Sequence, residues 1–432
     1  MDGYGAMRWN EDVAARTLTF VLAGGEGRRL NPLTRYRPKP LVPFGGCYRI
    51  VDFTLSNCLN SGLKRVCALT QHHCESVGAY LRKGWSRIGT GHHEFVFPSP
   101  PAAGKRYAGT ADAVLQNLLL LEQHQCEFAL ILSGDHVYGM DYRDLLSSHV
   151  VSGADATIVT VDHPVEASSD VEVLDVDDCN RVSGFEEKPH LPRSDSKNAE
   201  MIAANMGVYV FNREVLLAAM TRGGRIIDFA KDLIPGLIGS CDVRAYRHED
   251  RIKKMPLYWR DVGTPEAYYA SSMDLLKPDP PIDPYNSDWP MRSAYRGSVD
   301  GQGALSRAVR HPEINSIIPN GVNIESASVY RSVLFPSVVL ESGADVRHSV
   351  LMPGVVIGRG AVIRRAIIDA NVVIDAGDDI GYNPERDRRR FHALENGVVV
   401  VSPDHVSPFF KPDVISEVRR ARTAPHPEGH LS

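Results

Sequence analysis

An apolar run, Leu18-Thr19-Phe20-Val21-Leu22-Ala23, breaks abruptly into Gly24-Gly25-Glu26-Gly27 and then Arg28-Arg29. The run has the length and apolarity of a strand buried on both faces of a parallel sheet. Glycines at its end let backbone N–H groups turn outward and close on a phosphate without Cβ interference. Two cations, Arg29 and Lys39, follow ten residues apart, with prolines stiffening the loop between them. A glycine-lined turn with converging cations is what a triphosphate requires, so Leu22, Ala23, Gly24, Gly25 and Gly27 become nucleotide-binding candidates. No Gly-Lys-Ser/Thr closes the motif, which excludes a P-loop, and Leu30 stands where a dinucleotide fold has its third glycine. A purely structural strand-to-helix turn is the alternative.

Composition narrows the rest. With 432 residues, 43% hydrophobic and 23% charged, the chain is expected to form two or three globular domains. A formal net charge of -5 offers no general pull toward nucleic acid, so any cationic site must be local. No apolar run reaches the ~18 to 20 residues of a membrane span. The first residues, with Asp2, Glu11 and Asp12, lack a secretory signal's apolar core, so a cytoplasmic setting is expected and residues 1–17 should be flexible. The seven cysteines include no Cys-x-x-Cys pair and suit free thiols in a reducing compartment. Cys67 and Cys74 flank His72 and His73, but ligands on one strand-to-loop segment rarely converge on zinc without a second pair.

Further along, Leu63 to Thr70 predicts a second strand leading into Gln71, then a helix over 75–83 and a loop-rich region from Trp85 to Pro101. Tyr107-Ala108-Gly109-Thr110-Ala111 puts small residues at a loop-helix boundary, where they allow flat contact with a base or sugar. Capping by Thr110 is the plainer reading of that boundary. The helix after it carries Val114, Leu115, Leu118, Leu119 and Leu121. A third strand, Phe128 to Leu132, ends in Ser133-Gly134-Asp135. A carboxylate at that end of a parallel strand lies in the ligand crevice of an open α/β sheet, which makes Asp135 a metal-ligand candidate. Strands are also expected over 156–161, 172–176 and 205–211. The proline-rich stretch 277–304 reads as an interdomain linker. From Ile317, apolar pairs recur every five to seven residues, punctuated by Gly321, Gly343, Gly354, Gly360 and Gly377. Such imperfect hexads predict a left-handed parallel β-helix over 305–432, with a β-sandwich as the alternative.

Gly24-Gly25-x-Gly27-x-Arg29-Leu30, Pro38-Lys39-Pro40 and Phe44-Gly45-Gly46-Cys47-Tyr48-Arg49-Ile50-Val51-Asp52-Phe53 together resemble the sugar-phosphate nucleotidyltransferases, and among them the bacterial glucose-1-phosphate adenylyltransferase family. The resemblance runs from about Phe20 to about Ser402. It implies a Rossmann-like (GT-A-like) catalytic domain over 18–276 and a β-helix used for assembly or regulation. It further implies Mg²⁺-dependent transfer of the adenylyl group from ATP to glucose 1-phosphate, serving glycogen synthesis, in a homotetramer. On that pattern Arg29 and Lys39 grip the triphosphate, and Asp261 joins Asp135 on the metal. Glu187 and Lys188, from Glu-Lys-Pro, bind the sugar phosphate. Gln71, Tyr107, Gly109, Thr110 and Ala111 border the nucleotide. Tyr107, Glu172, Asn205, Asp228 and Trp259 border the sugar. Arg37 and Arg49 are the cations kept for an anionic effector.

The chain also departs from that pattern. Glu172 falls where a glycine is usual and Asn205 where a serine is usual, which opens the site to an amino sugar 1-phosphate. Tyr36, Pro43 and Ala370 replace a lysine, a histidine and an arginine of the enterobacterial effector site, so a different effector is expected. The alternatives are another sugar-1-phosphate nucleotidyltransferase, a non-catalytic regulatory subunit of the same fold, and a β-helix acetyltransferase. Retention of Arg29, Lys39, Asp135, Lys188 and Asp261 weighs against the regulatory subunit, and no histidine-centred site in the repeats supports the acetyltransferase.

Overall fold

The computed structural model describes residues 11–86, 94–189, 200–221, 226–250, 252–253, 255–294, 308–311 and 314–406. It divides into two compact units: residues up to 267 (apart from 45–47) with 279–294, and residues 45–47, 268–278 and those described from 308 onward.

Apart from the short pair Pro43–Phe44 and Tyr48–Arg49, the strands of the first unit are β1 (Thr17–Leu22), β2 (Arg65–Leu69), β3 (Phe95–Ser99), β4 (Phe128–Ser133), β5 (His136–Tyr138), β6 (Ala156–Pro164), β7 (Glu172–Val176), β8 (Val182–Glu187), β9 (Met201–Asn212), β10 (Val243–Arg247) and β11 (Trp259–Asp261). Nine of them form one sheet in the order β8-β7-β9-β4-β1-β2-β3, with β6 paired to β9 and β10 to β6. Strands β1, β2, β3 and β4 run parallel, and β9 runs antiparallel beside β4. Leu18, Phe20, Val21, Ala129, Leu130, Ile131 and Leu132 are fully buried, as strands covered on both faces must be. Strand β3 lies within the stretch expected to be loop-rich. Its Pro98 weakens the strand signal, but an edge position tolerates a residue that cannot donate.

Helix α1 (Ile50–Asn60) is the brace under the sheet's carboxyl ends. Asp52 accepts from Arg49 N at 2.8 Å, closing a capping arrangement at its start. Thr54 Oγ1 donates to Ser133 O at 2.9 Å and Asn57 Nδ2 to Tyr138 O at 3.1 Å, so α1 holds the segment carrying Asp135 at both ends. Helices α2 (Cys74–Gly84) and α3 (Thr110–Leu115) follow β2 and precede β4. The helix expected through Leu121 breaks after Leu115, and Leu119 is exposed rather than packed.

Two expectations change. Residues 11–17 are not loose: Glu11–Ala15 is helical, Val13 is buried, and Thr17 Oγ1 donates to Val13 O at 2.8 Å. Residues 1–10 lie outside the described residues. Residues 279–294 of the predicted linker are a strap on the first unit. Trp289 Nε1 donates to Asn57 Oδ1 at 2.8 Å, Arg292 N to Ser56 Oγ at 2.8 Å and Ala294 N to Tyr80 OH at 3.2 Å. The Trp289 ring and the backbone amides of Arg292 and Ala294 find partners on α1 and α2, which proline content alone does not reveal.

In the second unit three sheets stack coil on coil; two are parallel throughout, and the third is parallel except for an antiparallel strand at each end, Ala308–His311 and His392–Ala393. Val339 sits beside Val356 and Val356 beside Val373, so the coil repeats every seventeen residues, one fewer than three full hexads. Left-handed backbone at Arg331, His348 and Arg365, at Ser337, Gly354 and Asn371, and at Gly343, Gly360 and Gly377 turns the corners. Leu334, Leu340, Val346, Leu351, Ile357, Ile363 and Ile368 fill the interior of this left-handed β-helix. The helix Pro384–Arg390 covers its end, with Arg390 and Arg386 both bound to Asp378. Residues 407–432 lie outside the described residues. Among the described residues no helix is long and apolar enough to cross a membrane.

Candidate active site

The turn after β1 is built to face an anion. Ala23 N still joins the sheet, donating to Leu69 O at 2.9 Å. From Gly24 to Gly27 no amide has an acceptor among the described residues, which leaves consecutive N–H donors free at the sheet's carboxyl edge. Gly27 is left-handed at φ 67, and a Cβ there would lie 2.8 Å from Lys39 Cβ. That contact puts the root of the Lys39 side chain directly under the turn.

Lys39 leads inward from a short 3-10 turn, Lys39–Leu41, whose start is fixed by Pro38 and Pro40. Its ammonium is 2.5 Å from Asp261 Oδ1 and 3.0 Å from Asp135 Oδ2. Arg29 reaches the other Asp261 oxygen at 3.2 Å. The two aspartates come from segments distant in sequence. Asp135 follows β4, while Asp261 ends β11, which pairs with β5 so that Asp261 lies opposite His136. Burial works against charge on Asp261, but Lys39, His136 and Arg29 outweigh it and hold its carboxyl well below the usual range. Burial likewise opposes the charge on Lys39, and Asp135 and Asp261 more than restore it. Shifts of this kind are expected where function concentrates charge.

Asp135, His136 and Asp261 bring one ligand atom each within 4.8 Å of one another. Two carboxylates suit a hard divalent cation. The histidine is a weaker fit. Trp259 Nε1, a donor only, lies 3.3 Å from His136 Nδ1, so the proton of a neutral ring falls on Nε2, the nitrogen facing the aspartates. His136 Nε2 lies 3.6 Å from Asp135 and 3.9 Å from Asp261, outside hydrogen-bond distance of both, so His136 is a polar neighbour of the acid pair that the sequence alone does not place there.

From this cluster the site continues along β9. Gly207, at φ 68, forms an irregularity between Asn205 and Tyr209, and a Cβ there would lie 2.5 Å from Ser133 Oγ and 3.6 Å from His136 Cε1. Asn205 fixes that irregularity: its Oδ1 accepts from Gly207 N at 3.0 Å while Nδ2 donates to Glu172 Oε2 at 2.6 Å and Tyr209 OH at 2.7 Å. Burial raises the Glu172 carboxyl above its ordinary value, with Asp228 and Glu187 adding to the rise and Asn205 and Lys188 opposing it. Glu172 stands directly across from Glu187 in the β7–β8 pair, and Glu187 is 3.0 Å from Lys231. Lys188 follows with left-handed backbone at φ 47. Lys188 and Glu187 thus border the Glu172 end of the groove and do not touch the Lys39 cluster.

The stretch 107–111 closes another side. Gln71 Oε1 accepts from Tyr107 N at 2.5 Å, and Gly24 packs against Gln71. Ala111 N donates to Ile227 O at 2.8 Å, and Gly109 precedes α3. Two residues play other parts than expected. The Tyr107 ring is buried, its hydroxyl donating to Ser99 O at 3.0 Å, so its side chain faces the core and not the sugar. Thr110 does not cap its own helix; its hydroxyl donates to Asp228 Oδ2 at 2.9 Å and accepts from Phe229 N at 3.1 Å. Asp228 also accepts from Ala230 N and Lys231 N, so its carboxylate orders this wall of the groove. Arg49 Nη1 donates to Leu41 O at 3.0 Å and Arg37 Nη1 to Leu33 O at 3.3 Å, both within the segment that joins the glycine turn to α1.

Comparison with known proteins identifies the family. The family model "Nucleotidyl transferase" matches residues 18–278, and "GlmU-like, C-terminal hexapeptide" matches 305–401. A "Glucose-1-phosphate adenylyltransferase 2" of Alkalilimnicola ehrlichii is 41% identical over 92% of this chain and 96% of its own. The chain belongs to the glucose-1-phosphate adenylyltransferase family. A relative of the same name from Vibrio cholerae is 42% identical over 89% of this chain and 97% of its own. A "Glucose-1-phosphate adenylyltransferase" of Hydrogenovibrio crunogenus is 39% identical over 91% and 95%. Both family models are nearly coextensive with the two architectures described above.

Proposed function

We propose that the protein transfers the adenylyl group of ATP to α-D-glucose 1-phosphate, giving ADP-glucose and pyrophosphate. The observation that carries this reading is the meeting of Asp135 and Asp261 with Lys39 and Arg29 beside a turn of free amides. A phosphate oxygen of the sugar phosphate attacks the α-phosphorus, and the bond to the β-phosphate oxygen breaks in line. The nucleophile is already an anion, so no general base is needed, and the chain's work is positioning and charge neutralisation. Amides 24–27 and Arg29 hold the β- and γ-phosphates, which leave as pyrophosphate. Lys188 brings in the second anion and offsets its repulsion from the first. Asp135 and Asp261 would hold Mg²⁺, which when bound neutralises phosphate charge and orients the leaving group.

In this reading residues 18–276 are the catalytic domain, completed by the strap 279–294, and the β-helix serves assembly into a homotetramer and regulation. Arg37 and Arg49 of the first unit are the anion-effector contacts in this reading. ADP-glucose for glycogen synthesis in the cytoplasm is the corresponding role. A second substrate has one specific observation in its favour: Glu172, held by Asn205 at 2.6 Å, offers a carboxylate that would suit the ammonium of an amino sugar 1-phosphate if this end of the site takes the sugar. Pyrophosphate release from a matrix of nucleoside triphosphates and sugar 1-phosphates tests both. ATP with glucose 1-phosphate should turn over fastest. Preference for another nucleotide, or no turnover, would overturn the assignment.

A further inference from the structure

Lys39 stands where a divalent cation would. Its ammonium, on a side chain only 6% exposed, bridges Asp261 at 2.5 Å and Asp135 at 3.0 Å, and Arg29 takes the remaining Asp261 oxygen. The two carboxylates are therefore already matched by two cations of the folded chain, one of them wedged between the ligands. A dication entering this arrangement meets an ammonium a few ångströms away where water screens poorly. It also competes for oxygen atoms already in use. A bare metal ion has little to gain here.

A triphosphate changes the balance. The Lys39 stem is rooted beneath the turn of free amides, where a Gly27 Cβ would lie 2.8 Å from its own Cβ. A flexible four-carbon stem anchored there carries its ammonium from carboxylate to phosphate by rotation about its own bonds. We propose that Lys39 is an internal placeholder: it keeps Asp135 and Asp261 together and excludes free divalent cation until nucleotide phosphates draw its ammonium away. Metal and nucleotide then enter as one. This rests on the metal role given above to the two aspartates.

The test is Mn²⁺ binding to the nucleotide-free full-length protein, read from the electron paramagnetic resonance signal of unbound ion. Lys39→Met should bind Mn²⁺ at least about tenfold tighter than the unaltered protein, a modest demand for removing a like charge at this distance. Lys39→Gln, which keeps an amide donor in place, should shift the same way and guards against misfolding of the first variant. Arg29→Met removes an equal charge that is not between the ligands and should shift binding less. No tightening in either Lys39 variant, or an equal gain in Arg29→Met, would overturn the placeholder role. Adding Asp135→Asn to Lys39→Met should abolish the gain; if the gain persists, the metal role of the aspartates itself is refuted.

Discussion

Gly27→Ala tests the geometry that joins the phosphate turn to Lys39. The residue is left-handed at φ 67, and an alanine there costs ~1–2 kcal/mol in backbone strain alone. Its Cβ would also lie 2.8 Å from Lys39 Cβ and 3.1 Å from Thr34 Cγ2. Lys39 Cβ is not a flexible tip: it is fixed to a buried 3-10 turn, so the loops must part by several tenths of an ångström. Strain and contact together should lower stability by ~1–3 kcal/mol. The displacement reaches the ammonium that bridges Asp135 and Asp261, and misplacement approaching 1 Å costs up to ~10²-fold in rate. Turnover should therefore fall by about 10- to 100-fold, read as pyrophosphate release, with a matching drop in the urea midpoint. Gly25→Ala is the control. It has no left-handed backbone and no atom within 4 Å of an added Cβ, so its stability should change by less than ~0.5 kcal/mol. Equal destabilisation by the two substitutions, or a Gly27 variant that unfolds and turns over like the unaltered protein, would refute the reasoning.

Asp135→Asn should lower turnover by about 10²- to 10⁴-fold while the thermal unfolding curve stays close to the parent's, because Lys39 keeps its 2.5 Å contact with Asp261. Near-normal pyrophosphate release would remove the metal role. Glu172→Gly should raise the preference for glucose 1-phosphate over glucosamine 1-phosphate, and identical preference ratios would end the amino-sugar reading. Burial of Asp52 raises its carboxyl to about 6, although Tyr80, Arg49 N and Ser293 oppose the rise. Its folded value exceeds its unfolded one, so the native state binds the extra proton and stability increases as pH falls through 6 toward 3.8. From pH 7 to pH 5 this group should add about 1 kcal/mol, a gain visible in urea midpoints and missing from Asp52→Asn. A parent and variant with the same pH dependence would contradict it.

What the sequence made legible follows from which forces are local. Leu18 to Ala23 reads as a buried strand because burial on two faces demands an unbroken apolar run, and Gly24 to Gly27 reads as a turn because no other residue frees the backbone so cheaply. The β-helix is legible for the same reason: its corners repeat, although Arg331, His348 and Arg365 turn one row of them without glycine. What stays hidden depends on partners distant in the chain. Residues 279–294 look like a linker until Trp289 meets Asn57 and Ala294 meets Tyr80. Tyr107 looks like a ligand contact until Ser99 takes its hydroxyl into the core. Asp228 resembles a sugar contact, yet its oxygens serve Thr110 and the start of the next helix.

The Lys39 bridge lies between these cases. Sequence spacing announces a cation near the phosphate turn, but not that its charge rests on the aspartates when no phosphate is present. That resting place follows from the pairing of β5 with β11, a contact between segments more than a hundred residues apart. Without Lys39, Asp135 and Asp261 would repel each other across a partly buried gap; with it, the turn, the two strand ends and Arg29 form one electrostatic unit. The cation that stabilises the empty site is thus the one a triphosphate can draw away, so stability of the resting state and readiness for substrate come from the same side chain.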